Sequence, residues 1–156
     1  MLLLFGLSAC AGGRIEGGVF YSPKGYRVSL PAGAWRASIE GPADLVLARA
    51  GSGAGILAHA TCEGMPPARP LAVLARYLAF GLEGRKLLEQ EEVTVGDRAG
   101  IRVLLEGRLD ATPVKVEAFV LKGEGCVYDL VYAAPPADFA AGQGEFRRLV
   151  GSFAGP

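Results

Sequence analysis

From Tyr26 to Leu30 the chain alternates apolar and polar positions, with Tyr26, Val28 and Leu30 separated by Arg27 and Ser29. That is the period of a strand with one buried face. Val19, Phe20 and Tyr21 precede it across Ser22, Pro23, Lys24 and Gly25, so two short strands joined by a Pro and Gly turn are expected. Pro31 and Gly33 close the second, and Trp35, Ala37 and Ile39 resume the alternation. Two apolar runs follow, 44–50 and 54–62, split by Gly51, Ser52 and Gly53 in the manner of a hairpin. Their cores, LVLARA and GILAHA, are apolar on both pleat faces and predict central strands covered on both sides.

The period then changes. Leu71, Leu74, Leu78 and Leu82 recur at helical spacing, and the pattern predicts a helix over 71–82 with Pro70 at its first position and Gly84 at its exit. Val73, Tyr77 and Phe80 lie off the main stripe, so this helix is apolar nearly all round. It either packs deeply against a sheet or exposes a stripe to a partner or lipid. Beyond it, 91–95, 101–109, 114–122 and 126–133 read as strands separated by GDRAG, DATP and GEG, an antiparallel meander. A last amphipathic helix over 137–150 gathers Phe139, Phe146, Leu149 and Val150 on one face, and Phe153 follows. Strands, helix, strands, helix predict an α+β fold, a mostly antiparallel sheet covered by helices.

Composition narrows the class of function. Lys plus Arg and Asp plus Glu each total 16, so the net charge is zero and no broad field favours nucleic acid. With 51% hydrophobic residues and no repeat in 156 residues, a single packed domain is expected. The stretch from Leu2 to Leu7 is too short to span a bilayer, which takes about 20 apolar residues, and has the length of a secretory h-region. Leu7, Ser8, Ala9 and Cys10 resemble the lipobox of bacterial lipoproteins, in which the cysteine is lipidated and becomes the mature N-terminus. The competing reading is a buried first strand with an ordinary core cysteine. The resemblance implies a signal peptide over 1–9, a lipidated glycine-rich tether over 10–18 and a domain over 19–156. Ala11 after the cysteine implies sorting to the outer membrane, with the domain anchored on its periplasmic face.

If Cys10 is acylated, Cys62 and Cys126 remain, in a compartment where disulfides persist. One ends a predicted strand and the other begins one, so antiparallel neighbours would join them. A Cys62 to Cys126 disulfide is expected, against the alternative of two buried free thiols. The single histidine, His59, lies three residues from Cys62 and invites a thiol and imidazole dyad. Residues three apart on a strand point to opposite faces, however, which sets His59 with Thr61 and Glu63 and opposes a dyad. His59 and Glu63 remain as weak ligand-binding candidates beside the plainer reading of a surface histidine; no metal set or cofactor motif is expected. Ser52 in AGSGAG fits neither a nucleophile elbow nor a phosphate loop, and Glu89, Glu91 and Glu92 read as a solvated acidic cluster.

Three stretches resemble the PsbP-like families: YSPKGYRVSLPAGAW, VTVGDRAGIRV and YDLVYAAPPADFAAGQGEFRRLVGSF. The resemblance spans Tyr21 to Phe153 and implies an α/β/α sandwich around an antiparallel sheet. Members include an extrinsic photosystem subunit, a Ran-binding transport factor and small bacterial lipoproteins, chiefly binding or assembly modules. It carries over no catalytic residue, so a non-catalytic module docking an envelope protein is expected. The other expectation is a small-ligand binder or minor hydrolase using a cleft near His59.

Overall fold

The computed structural model describes residues 12–62, 69–79 and 81–156. Three short strands, β1 (Arg14–Glu16), β2 (Val19–Tyr21) and β3 (Arg27–Ser29), form an antiparallel sheet in that order. Glu16 pairs with Val19 across Gly17 and Gly18, whose φ angles are +58° and +74°. Two consecutive left-handed residues make the primed hairpin turn that glycine adopts without strain. The glycines expected to loosen a tether therefore build a turn, and the ordered sheet starts at Arg14, not Val19.

Seven strands make the main sheet: β4 (Trp35–Ser38), β5 (Leu45–Arg49), β6 (Gly55–Thr61), β7 (Glu83–Val95), β8 (Arg98–Leu109), β9 (Thr112–Lys122) and β10 (Val127–Ala134). Their order is β4-β5-β6-β10-β9-β8-β7 and every pairing is antiparallel. After β6 the chain crosses the sheet through helix α1 (Leu71–Leu78) to the far edge, and the meander β7 to β10 returns to pair with β6. Helix α2 (Phe139–Gly151) lies on the opposite face with the small sheet, where Phe20, Tyr26, Phe146 and Leu149 join the larger core cluster. The other core lies under α1, where Leu74 and Ala75 meet Ile101, Val103, Val116 and Val120.

The α+β class and the helix-flanked antiparallel sheet thus match the reading of the chain, with three adjustments. Strands buried on both faces are β8 and β9, over 101–105 and 116–121, since α1 and α2 cover those two; β5 lies beside the edge and leaves Val46 38% exposed. Helix α1 stops at Leu78, and Pro70 sits at the N-cap with its carbonyl accepting from the Val73 and Leu74 amides. Gly81 follows closely, and glycine's high backbone entropy ends the helix before Gly84, which instead lies in β7. Strand β7 runs well upstream of Glu91, with register shifts between Glu83 and Lys86 and between Leu87 and Glu89. Each shift breaks the two-residue period by which a strand is recognised.

Candidate functional site

On β9, Lys115, Glu117 and Phe119 alternate onto the face covered by α2, and the β8 register sets Leu104 against Glu117 and Arg102 against Phe119. One strand further out, Glu89 opposes Leu104 and Glu91 opposes Arg102. Helix α2 carries Phe139, Gln143, Arg147 and Val150 at helical spacing, and these come down beside that polar patch. Between the helix and the β7 and β8 wing lies a cleft of about 830 Å³, with Arg102 and Lys115 at its polar side and Val93, Leu104, Phe119 and Phe139 as apolar walls.

Under the cleft sits Glu117, which is fully buried. Arg102 Nε donates to its Oε1 at 2.5 Å and Arg147 Nη2 at 2.7 Å, with Gln143 Nε2 at 3.5 Å. The same Arg102 reaches outward through Nη1 to Glu89 Oε2 at 2.8 Å and Glu91 Oε1 at 3.1 Å. Burial opposes the charge on Arg102, but hydrogen bonds to Glu89 and Glu117 outweigh it and lift its pKa above the ordinary arginine value. Arg102 likewise holds the Glu89 carboxyl below its usual range by a hydrogen bond. The acidic cluster read as solvated is therefore only partly so: Glu89 and Glu91 are more than half exposed yet bound to β8. Buried charges survive here because each carboxylate has a guanidinium partner.

The residues singled out from the sequence lie elsewhere. Cys62 and Cys126 are joined in a disulfide, one residue beyond the Thr61 and Val127 pair that ends the β6 and β10 ladder. His59 on β6 and Cys62 just beyond its end take opposite faces of the sheet: Cys62 packs on the larger core, while His59 Nδ1 lies 3.4 Å from Asp44 Oδ1 without hydrogen-bond alignment. Asp44 itself is committed. It accepts from Lys24 at 2.6 Å, Tyr26 at 2.9 Å and the Ala60 amide at 2.8 Å. Burial opposes its charge, and those bonds more than offset this and lower its pKa. Across β10, His59 is in register with Asp129, which lines a separate cavity of about 340 Å³ with Arg69, Leu74 and Tyr77. Burial pushes the Asp129 carboxyl up to about 6. Cys10 and Glu63 lie outside the described residues, and among those described no three His, Cys, Asp or Glu side chains gather as a metal site.

No protein-family model matches the chain, and no curated protein matches it. Solved structures do. Cyanobacterial PsbP (CyanoP) from Synechocystis sp. PCC 6803 superposes with a TM-score of 0.65 at 14% identity, covering 96% of this chain and 99% of that one. The fold is PsbP-like. LpqN of Mycobacterium tuberculosis, a protein involved in cell envelope biogenesis, gives a TM-score of 0.68 at 16% identity, covering 86% of this chain and 87% of its own. PA94 of Pseudomonas aeruginosa, of unknown function, gives 0.54 at 16% identity over 87% of this chain and 86% of its own. Within this PsbP-like scaffold Arg102, Glu117 and Arg147 are the grouping that sequence reading missed. Its one visible trace is a glutamate and a lysine alternating with phenylalanine in KVEAF, within a stretch from Val114 to Leu121 that is otherwise apolar.

Proposed function

We propose that this chain is a non-catalytic binding or assembly module of a bacterial cell envelope, anchored through lipid on Cys10 at the periplasmic face of the outer membrane. Its recognition surface is the cleft between α2 and the β7 and β8 wing. The observation that carries this reading is the chemistry of that cleft: its arginines are engaged by carboxylates in fixed geometry, and apolar walls stand beside them. Such an arrangement positions a partner, and Glu117, fully buried with both carboxylate oxygens bonded by Arg147, presents no free carboxylate of its own to the cleft. Further support comes from the lipobox-like Leu7 to Cys10 and from the shared fold of LpqN, a protein of envelope biogenesis. A second reading, a small-ligand binder on the other face, draws on Asp129 beside the α1 cavity and His59 in register with it.

The test is affinity capture of the tagged full chain from detergent-solubilised membranes of its own host, with bait and bound proteins read by mass spectrometry. A stoichiometric envelope protein on a bait lipidated at Cys10, lost when Phe119→Ala and Val93→Ala empty the cleft walls, is the expected result. A soluble bait with unmodified Cys10 would refute the anchoring, and capture indifferent to the cleft variants would refute the recognition surface.

A further inference from the structure

The charges around the cleft are unequally partnered. Arg102 is spent on Glu117, Glu89 and Glu91, and Arg147 on Glu117. Lys115 makes no ion pair or side-chain hydrogen bond among the described residues, although Glu106 stands opposite it on β8 and its charge acts on Glu89; its Nζ stands 5.1 Å over the Phe139 ring. It is half-buried and lines the cleft. An ammonium held against an aromatic face, partly withdrawn from water, gains Coulomb and hydrogen-bond energy from one added anion. Val93 lines the same cleft beside the edges of Leu104 and Phe119, which are otherwise buried in the core, and the cleft's volume is that of a small-ligand site. The exposed carboxylates of Glu89 and Glu91 also line it and repel a second negative charge.

We propose that the cleft binds a monoanionic organic carboxylate, its charge on Lys115 and its apolar body over Val93 and the edges of Leu104 and Phe119. The inference rests on the reading of this cleft as the recognition surface and names the chemistry it takes. A free small carboxylate and the C-terminus of a peptide share that chemistry.

The experiment is amide NMR of the isotope-labelled full chain titrated with phenylbutyrate, with uncharged phenylbutanamide, and with an apolar tripeptide carrying a free or an amidated C-terminus. Saturable shifts at Lys115, Phe139 and Gln143 are expected with the acids, and about tenfold or weaker binding with the amides, the worth of one charge-assisted contact. Lys115→Met should lose the same factor with an unchanged thermal melt, and Lys115→Arg should retain binding. Tighter binding of the free-carboxylate peptide assigns a chain terminus as the source; tighter binding of phenylbutyrate assigns a small molecule. Equal binding of acid and amide, shifts outside the cleft, or an unaffected Lys115→Met overturns the inference. In that event a partner captured in a cleft-dependent way still leaves the recognition surface standing.

Discussion

Burial lifts Asp129 from an ordinary 3.8 to about 6, which makes its protonation a stability variable. The folded chain keeps this proton to higher pH than the unfolded chain does. The group's contribution is therefore complete below the ordinary carboxylate pKa and lost as pH rises through about 6. A shift of that size corresponds to roughly 3 kcal/mol. Asp129→Asn should gain about that much relative to the parent between a pH below 3.8 and mildly alkaline pH, with His59 and Arg69 unchanged in both chains. Urea unfolding at the two ends of the range measures the difference, and parallel stabilities for the two proteins would contradict it. Glu117 poses the complementary case. Glu117→Leu leaves Arg102 buried without its inner carboxylate and should cost about 3 to 5 kcal/mol, while adding Arg102→Leu should recover most of it. Denaturant midpoints of single and double variants decide between an ionic and a purely steric role. The alternation of Lys115, Glu117 and Phe119 was legible along β9. Its partnership was not, because Arg102 lies 15 and Arg147 30 residues away, and only the β8 and β9 register and the seat of α2 bring them together.

Elements with a clean period were readable, and those without were not. β6, whose GILAHA was read as apolar on both pleat faces, has no exposed position and alternates buried with half-buried ones along its whole length. β7 resets its phase twice and carries six charged residues, so only its last residues resemble a strand. Helix α2 was legible from its phenylalanines, but its glycines play unequal parts. A Cβ on Gly142 would come within 2.5 Å of the Tyr132 hydroxyl, which donates to the Phe139 carbonyl; a Cβ on Gly144 meets nothing. Both substitutions raise helix propensity by about 1 kcal/mol. Gly144→Ala should therefore stabilise by about that amount, whereas Gly142→Ala should lose about 1 to 3 kcal/mol to overpacking against a fixed ring. Thermal melts of the two single variants give the comparison, and equal shifts would show that Tyr132 yields.

Across the whole molecule, the main sheet is assembled from two pieces distant in the chain. β4, β5 and β6 build one side and β7 to β10 the other, and among the described residues the only strand pairing between them is β6 with β10. Hairpins and meanders are local and can be read from turn residues; that one pairing is not, and the cysteines were its signal in the sequence. The Cys62 to Cys126 bond sits at the end of this ladder and closes a separation of 64 residues. Constraining so long a loop in the unfolded chain is worth roughly 4 kcal/mol in the chain-entropy model. Reduction, or Cys62→Ala with Cys126→Ala, should thus lower the unfolding free energy by about 4 kcal/mol at most, since the ladder and α2 still hold the seam once the chain is folded. Hydrogen exchange locates the effect: amides of β6 and β10 near Thr61 and Val127 should lose protection first, while those between β8 and β9 follow only the global loss. Uniform loss across both pairings would mean that the two pieces open as one unit and that the bond acts wholly on the unfolded chain.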